Sequence, residues 1–197
     1  MFSVIFPGQG SQSVGMTKEL YDNFSYVKDL FKEADDVLGH SISRIILEGP
    51  KEDLDLTENT QPAIFLASYS IFKMIKNESN IKLGSAKYFA GHSLGEYSAL
   101  ATSGSLDFKS AIKLLSQRGK AMQTAVPKGA GGMVAVLGVE INEINNLLEE
   151  NKNNYKCYVA NDNSNGQIVL SGLNLDLDKV IKDLKEKNIK SIKLQVS

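Results

Sequence analysis

The sequence predicts an α/β protein in two parts, and three observations carry that expectation. A short β-prone run enters Gly91-His92-Ser93-Leu94-Gly95 and a helix-prone run leaves it, the strand–turn–helix setting in which G-x-S-x-G has a mechanical meaning. Past Pro127 the pattern changes to the order β-α-β-β-α-β, the ferredoxin-like split unit. The chain has 197 residues, 42% hydrophobic and 23% charged, which suits one large or two small globular domains. The division is placed so that residues 1–126 form the first part and 127–197 the second.

Residues 2–6 are a short apolar, β-branched run and read as a buried strand. The loop Pro7-Gly8-Gln9-Gly10-Ser11-Gln12-Ser13-Val14-Gly15-Met16 nearly fits two phosphate motifs. Gly10 and Gly15 have P-loop spacing, but Met16 stands where a lysine must reach the phosphates. Gly8 and Gly10 fit a dinucleotide fingerprint, yet Ser13 replaces its third glycine. A third reading is a loop whose backbone faces the serine turn and supplies an oxyanion N–H. Residues 26–38 are amphipathic and stop at Gly39; residues 41–47 form a short helix ended by Gly49-Pro50. Asn59 or Thr60 caps a longer helix with Pro62 in its first turn, broken by the polar stretch 77–80. Residues 87–90 are the strand before the serine turn and 96–102 the helix after it. Asp107 caps a helix over 108–124.

In the second part, residues 128–132 are a flexible glycine-rich connection. Strands follow at 133–137, 157–160, 167–171 and 189–196, with helices at 141–150 and 176–187. The run Asn161-Asp162-Asn163-Ser164-Asn165-Gly166 is read as the turn between the middle strands. Twenty-two basic against 23 acidic residues give a net charge of −1, so neither nucleic acid nor a membrane is expected as a partner. No apolar run approaches the ~20 residues of a membrane span. The single cysteine, Cys157, excludes an internal disulfide and fits a reducing compartment; it reads as a core thiol. The expected location is the cytoplasm, without a cleavable leader.

The chemistry centres on Ser93. A serine on so sharp a turn needs small residues two positions away on either side. The turn sets the next N–H, that of Leu94, and a helix N-terminus beside any charge forming on an acyl oxygen. Arg118 lies in an i, i+4, i+8 row with Leu114 and Met122, next to the apolar stripe of its helix, and is therefore expected near the inward face. So placed it wants an anion: an acidic side chain, or a substrate, unless its stem reaches water. The chain has two histidines. His92 adjoins Ser93, so its side chain should diverge; His40 precedes the serine and follows a helix stop. Neither reads as a general base.

Together these motifs resemble the malonyl-CoA:acyl-carrier-protein transacylases of fatty-acid synthesis. The resemblance rests on Phe6-Pro7-Gly8-Gln9-Gly10-Ser11-Gln12, Thr60-Gln61-Pro62-Ala63, Gly91 through Leu100, Gln117-Arg118-Gly119-Lys120-Ala121-Met122-Gln123, and Asn161-Asp162-Asn163-Ser164 with Gln167-Ile168-Val169. It implies an α/β-hydrolase-like core, incomplete at its C-terminus, with a ferredoxin-like small subdomain. It implies that Ser93 is acylated, that the N–H groups of Gln9 and Leu94 form the oxyanion hole, and that Arg118 grips the malonyl carboxylate. Malonyl-CoA and acyl carrier protein are the implied substrate and partner, for a monomer with no metal and no organic cofactor. The family's histidine base is expected beyond Ser197. The alternatives are an acyltransferase of a polyketide-type synthase, a serine esterase, and an inactive module that binds CoA or a carrier protein.

Overall fold

The computed structural model describes residues 1–125, 127 and 129–194. It divides into two compact units, Met1–Gln123 and Thr124–Ser197, and it is a mixed α/β structure.

In the first unit the chain order is β1 (Ser3–Phe6), α1 (Lys18–Asn23), α2 (Ser25–Leu38), α3 (Ile42–Glu48), α4 (Lys51–Leu54), α5 (Thr57–Glu78), β2 (Tyr88–Gly91), α6 (Leu94–Ser103) and α7 (Phe108–Thr124). Strands β1 and β2 pair in parallel, Ser3 with Tyr88 through Phe6 with Gly91. Helix α5 is the core element: Ala63, Ile64, Phe65 and Leu66 are all buried, packed with Phe31, Ile46, Leu94, Ile112 and Leu115. Burial on consecutive positions explains why α5 shows little amphipathic contrast in sequence. Gly39 ends α2 at φ 71°, its N–H donating to the Asp35 carbonyl, an αL stop that a side chain would strain. Asp107 caps α7 as expected, its Oδ1 accepting from the Ser110 N–H at 2.9 Å.

Two expectations in this unit are corrected. Helix α1 has no counterpart in the sequence reading; its six residues bury no side chain fully and so show no apolar stripe. Helix α5 starts at Thr57 after Leu56, with no side-chain cap. Asn59 and Thr60 instead lie inside its first turn. They donate to the Asp53 and Leu54 carbonyls at 2.9 and 2.6 Å, which ties α4 to α5. Pro62 then sits within the helix and not at its first position.

The second unit runs β3 (Gly131–Leu137), α8 (Ile141–Glu150), β4 (Cys157–Ser164), β5 (Gln167–Leu173), α9 (Asn174–Glu186) and β6 (Lys190–Leu194). The antiparallel sheet has the order β4-β5-β3-β6, which is the split β-α-β topology. Val134, Val136, Ile168 and Leu170 pack against Ile144, Leu147, Leu177, Val180 and Leu184. The predicted turn over 161–166 is corrected. β4 continues to Ser164, which pairs with Gln167, so Asn165 and Gly166 alone make the hairpin, the residue pair that a two-residue turn favours. The glycine-rich connection is shorter than expected, because Gly131 and Gly132 already pair in β3. A Cβ on Gly132 would stand 2.6 Å from Asn174 Oδ1, so a side chain there would displace the Asn174 amide. The predicted final strand extends to 196; β6 ends at Leu194, and residues 195–197 lie outside the described residues.

Candidate active site

Ser93 stands at φ 56°, ψ −109°, two residues past the end of β2 and immediately before the first residue of α6. This is a conformation that costs a non-glycine residue of order 1–3 kcal/mol and persists only where its surroundings hold it. Here those surroundings are glycines. A Cβ on Gly91 would lie 2.1 Å from the backbone carbon and oxygen of Gly95. One on Gly95 would lie 2.6 Å from the Phe6 oxygen and 2.8 Å from that of Pro7. The turn thus closes on itself and sits against the end of β1. Gly8 is also close, its would-be Cβ 3.1 Å from the His92 carbonyl oxygen. The serine itself is exposed.

The loop after β1 is braced from α4. Gln12 donates from Nε2 to Asp55 Oδ1 at 2.9 Å, and its Oε1 accepts from the Gly10 N–H at 2.9 Å. Gly10 takes φ 105°, which only glycine adopts readily. Lys51 also donates to Asp55, and this bond, then that from Gln12, holds the Asp55 carboxyl below its ordinary range. Gln9 Nε2 lies 3.5 Å from Thr57 Oγ1. Among the described residues, no acceptor is recorded for the backbone N–H of Gln9 or of Leu94. The latter opens α6, where the helix dipole favours negative charge.

Arg118 reaches this junction from α7. Its Nη2 donates to Ser93 Oγ at 2.9 Å and its Nη1 to Gln61 Oε1 at 2.6 Å. The guanidinium carbon is 6.0 Å from the centre of the Tyr97 ring, near the limit of a cation–π contact. The approach of α7 to α5 depends on Gly119, whose Cβ would fall 2.6 Å from the Glu58 Cα and 2.7 Å from the Thr57 oxygen. The expected setting of Arg118 needs adjustment. Its row is not turned inward: Leu114 and Met122 are 43% and 47% exposed, and Arg118 is half-buried between them. Its recorded partners are a glutamine and a serine, and among the described residues no acidic side chain pairs with it.

Among the described residues, the recorded hydrogen-bond partner of the serine hydroxyl is Arg118. His40 is exposed, with Nδ1 3.3 Å from the Leu38 carbonyl oxygen. His92 Nδ1 lies 3.4 Å from the would-be Cβ of Gly8, on the side of the loop after β1. Cys157, in the second unit, is buried, and burial pushes its thiol up to about 11. Among the described residues no group of three or more His, Cys, Asp or Glu is placed to hold a metal ion. No helix among them is long and apolar enough to cross a membrane. A groove of about 340 Å³ lined by Asp29, Lys32 and Lys109 and one of about 670 Å³ beside Tyr155 and Tyr158 both exclude Ser93 from their walls.

Sequence reasoning had assigned no role to Gln61. The signal was its place in Thr60-Gln61-Pro62-Ala63, an amide within an otherwise apolar helical run. The arrangement as a whole brings an exposed hydroxyl, a cation and a helix N-terminus to one strand–helix junction. Those are the parts needed to receive an acyl group that carries its own negative charge.

The family model described as acyl transferase domain matches residues 3–197. A malonyl CoA-acyl carrier protein transacylase of Haemophilus influenzae is 40% identical over 190 residues, 96% of this chain and 60% of the relative. The crystal structure of the malonyl CoA-acyl carrier protein transacylase from Clostridium perfringens superposes with a TM-score of 0.88 at 41% identity, covering 100% of this chain and 61% of that one. A type II polyketide acyl-carrier protein in complex with its malonyl-transacylase matches with a TM-score of 0.87 at 39% identity, over 100% of this chain and 63% of that one. The chain therefore spans about 60% of the length of the relatives it matches.

Proposed function

The chain belongs to the acyl transferase domain family, and from that premise we propose that it carries the acyl-accepting half of an S-malonyltransferase of fatty-acid synthesis. In this reading malonyl-CoA donates the malonyl group and the phosphopantetheine thiol of acyl carrier protein accepts it. Ser93 Oγ attacks the thioester carbonyl carbon, giving up its proton to a general base. The C–S bond of the tetrahedral intermediate breaks, leaving a malonyl-serine ester and CoA thiol. The carrier thiol then attacks the ester and regenerates the hydroxyl, a two-stage exchange in which the serine is acylated once per cycle. The N–H groups of Gln9 and Leu94 receive the oxyanion of both tetrahedral intermediates. The free carboxylate of the malonyl group takes the place of Ser93 Oγ on Arg118, a planar fork matching a planar anion. The base comes from a residue other than His40 and His92, and no metal or organic cofactor takes part. Residues 1–126 act as the acyltransferase core and 127–197 as its small subdomain, in a cytoplasmic, monomeric protein.

One observation carries this reading: the Arg118 guanidinium rests 2.9 Å from the Ser93 hydroxyl, with glutamine as its other recorded partner. An esterase for uncharged acyl groups has no use for a cation there. The test is the acyl preference of Arg118→Ala. The wild-type protein should bind malonyl-CoA more tightly than acetyl-CoA, and the variant should lose that preference. An unchanged preference would refute the assigned role. The polyketide reading is kept alive by the similarity to a transacylase solved with a polyketide carrier protein. Transfer to a polyketide carrier protein in preference to a fatty-acid one would favour it.

A further inference from the structure

Gln61 is fully buried on α5, with 0% of its surface exposed, yet its amide reaches the charged group of the site. Arginine can only donate, so the amide oxygen must be the atom that faces Arg118. The amide nitrogen then faces the sulfur of Met122, 3.0 Å away. Both ends of the amide are thus engaged, and its orientation is set by chemistry rather than by density of side chains alone. We propose that Gln61 is a positioning residue that determines acyl specificity: its carboxamide oxygen holds the Arg118 guanidinium over Ser93, and so sets the preference for acyl groups bearing a carboxylate. The proposal rests on the acyl-transfer reading above and deepens it.

The physical argument has three steps. A half-buried arginine on an exposed helix row has long, rotatable arms and drifts to water unless something holds it. The neighbours on that row, Leu114 and Met122, leave it open to solvent. The 2.6 Å bond from Nη1 to Gln61 is the recorded restraint from the protein interior, and it leaves Nη2 directed at the serine. Charge decides why the holder is an amide. An acidic side chain in the same place would fix the fork as well but would cancel much of its attraction for a substrate anion. A neutral acceptor fixes the fork and leaves its charge for the ligand. Met122, the soft partner at the other end of the amide, demands little of it.

The experiment measures equilibrium binding of malonyl-CoA and acetyl-CoA to the 197-residue chain and to four variants: Gln61→Met, Gln61→Asn, Arg118→Ala, and the double variant Gln61→Met with Arg118→Ala. Met keeps the length of the side chain without an acceptor; Asn keeps the acceptor but withdraws it by one methylene. Thermal melts confirm folding, and Asn carries the test where Met does not fold. Losing a hydrogen bond to a charged group predicts a fall of about tenfold in the malonyl-to-acetyl affinity ratio for each single Gln61 variant. Acetyl-CoA affinity should stay as in the wild type, which a general loosening of α5 would not allow. The double variant should be no less selective than Arg118→Ala alone, because Gln61 acts through Arg118. If Arg118→Ala abolishes selectivity while folded Gln61 variants keep it, the positioning role is overturned and the acyl-transfer reading stands. If Arg118→Ala leaves selectivity as it was, the acyl-transfer reading fails and the role of Gln61 falls with it.

Discussion

Replacing Gly95 by alanine sets two effects against each other. Gly95 lies in the first turn of α6, where helix propensity alone makes alanine better by about 1 kcal/mol. The new Cβ would stand 2.6 Å from the Phe6 oxygen, about 0.8 Å short of the 3.4 Å at which ordinary contact begins. The obstructing atoms are two backbone carbonyls at the end of β1, and neither can rotate aside as a side chain would. Overpacking of this kind costs about 1–3 kcal/mol, and the rigid neighbours place it at the upper end. The expected net loss is about 2 kcal/mol, or a fall of roughly 6 °C in the melting of the first unit. Urea unfolding of the purified chain measures it. Gly84→Ala is the control, since nothing lies within 4 Å of its would-be Cβ, and it should stay within about 0.5 kcal/mol of the wild type. Relief of the clash must push the end of β1 and the loop that follows away from the serine, so the variant should also lose acylation of Ser93. A Gly95→Ala chain as stable as the wild type would show that propensity outweighs the close approach, and would refute the packing account of the turn.

Two further outcomes follow from other parts of the molecule. Hydrogen bonding to Ser110 holds the Asp107 carboxyl below its ordinary range, so its cap is present above the unfolded pKa and is lost as pH falls through the lower folded value. Asp107→Ala should therefore lower the melting temperature at neutral pH, by an amount that shrinks once the pH drops below the carboxylate range; an equal shift at every pH would contradict the cap. Burial pushes the Cys157 thiol up to about 11, so a disulfide reagent at pH 8 should react slowly with the folded chain and fast with the urea-unfolded one. Equal rates would show that the thiol is not buried.

What the sequence revealed, it revealed through residues whose type records a constraint. Gly91 and Gly95 are legible because close backbone approach leaves no substitute, and Gly39 and Asp107 because helix ends have few chemical solutions. Polarity misled where a strand lies at a sheet edge. Asn161, Asp162 and Asn163 look like loop residues, yet they belong to β4, an edge strand of its sheet on which Asn161 is half-buried and the other two are exposed. Asn59 and Thr60 misled because their side chains turn back to bind the preceding helix instead of capping their own. The partnership of Gln61 with Arg118 was out of reach for a different reason. The two residues are 57 positions apart, and only the packing of α7 on α5 through Gly119 brings them together. Arg118 itself was recognisable as a cation in want of an anion, but not the exposure of its helix row.

The central claim is that Ser93 accepts the malonyl group. Its most direct test is to mix malonyl-CoA with this chain, and with the full product of its gene, and to read the intact mass and the modified peptide after a single turnover. The account predicts one malonyl group on Ser93 of the full product, absent from Ser93→Ala and released by acyl carrier protein. No adduct on either protein, or an adduct on a residue other than Ser93, would contradict it.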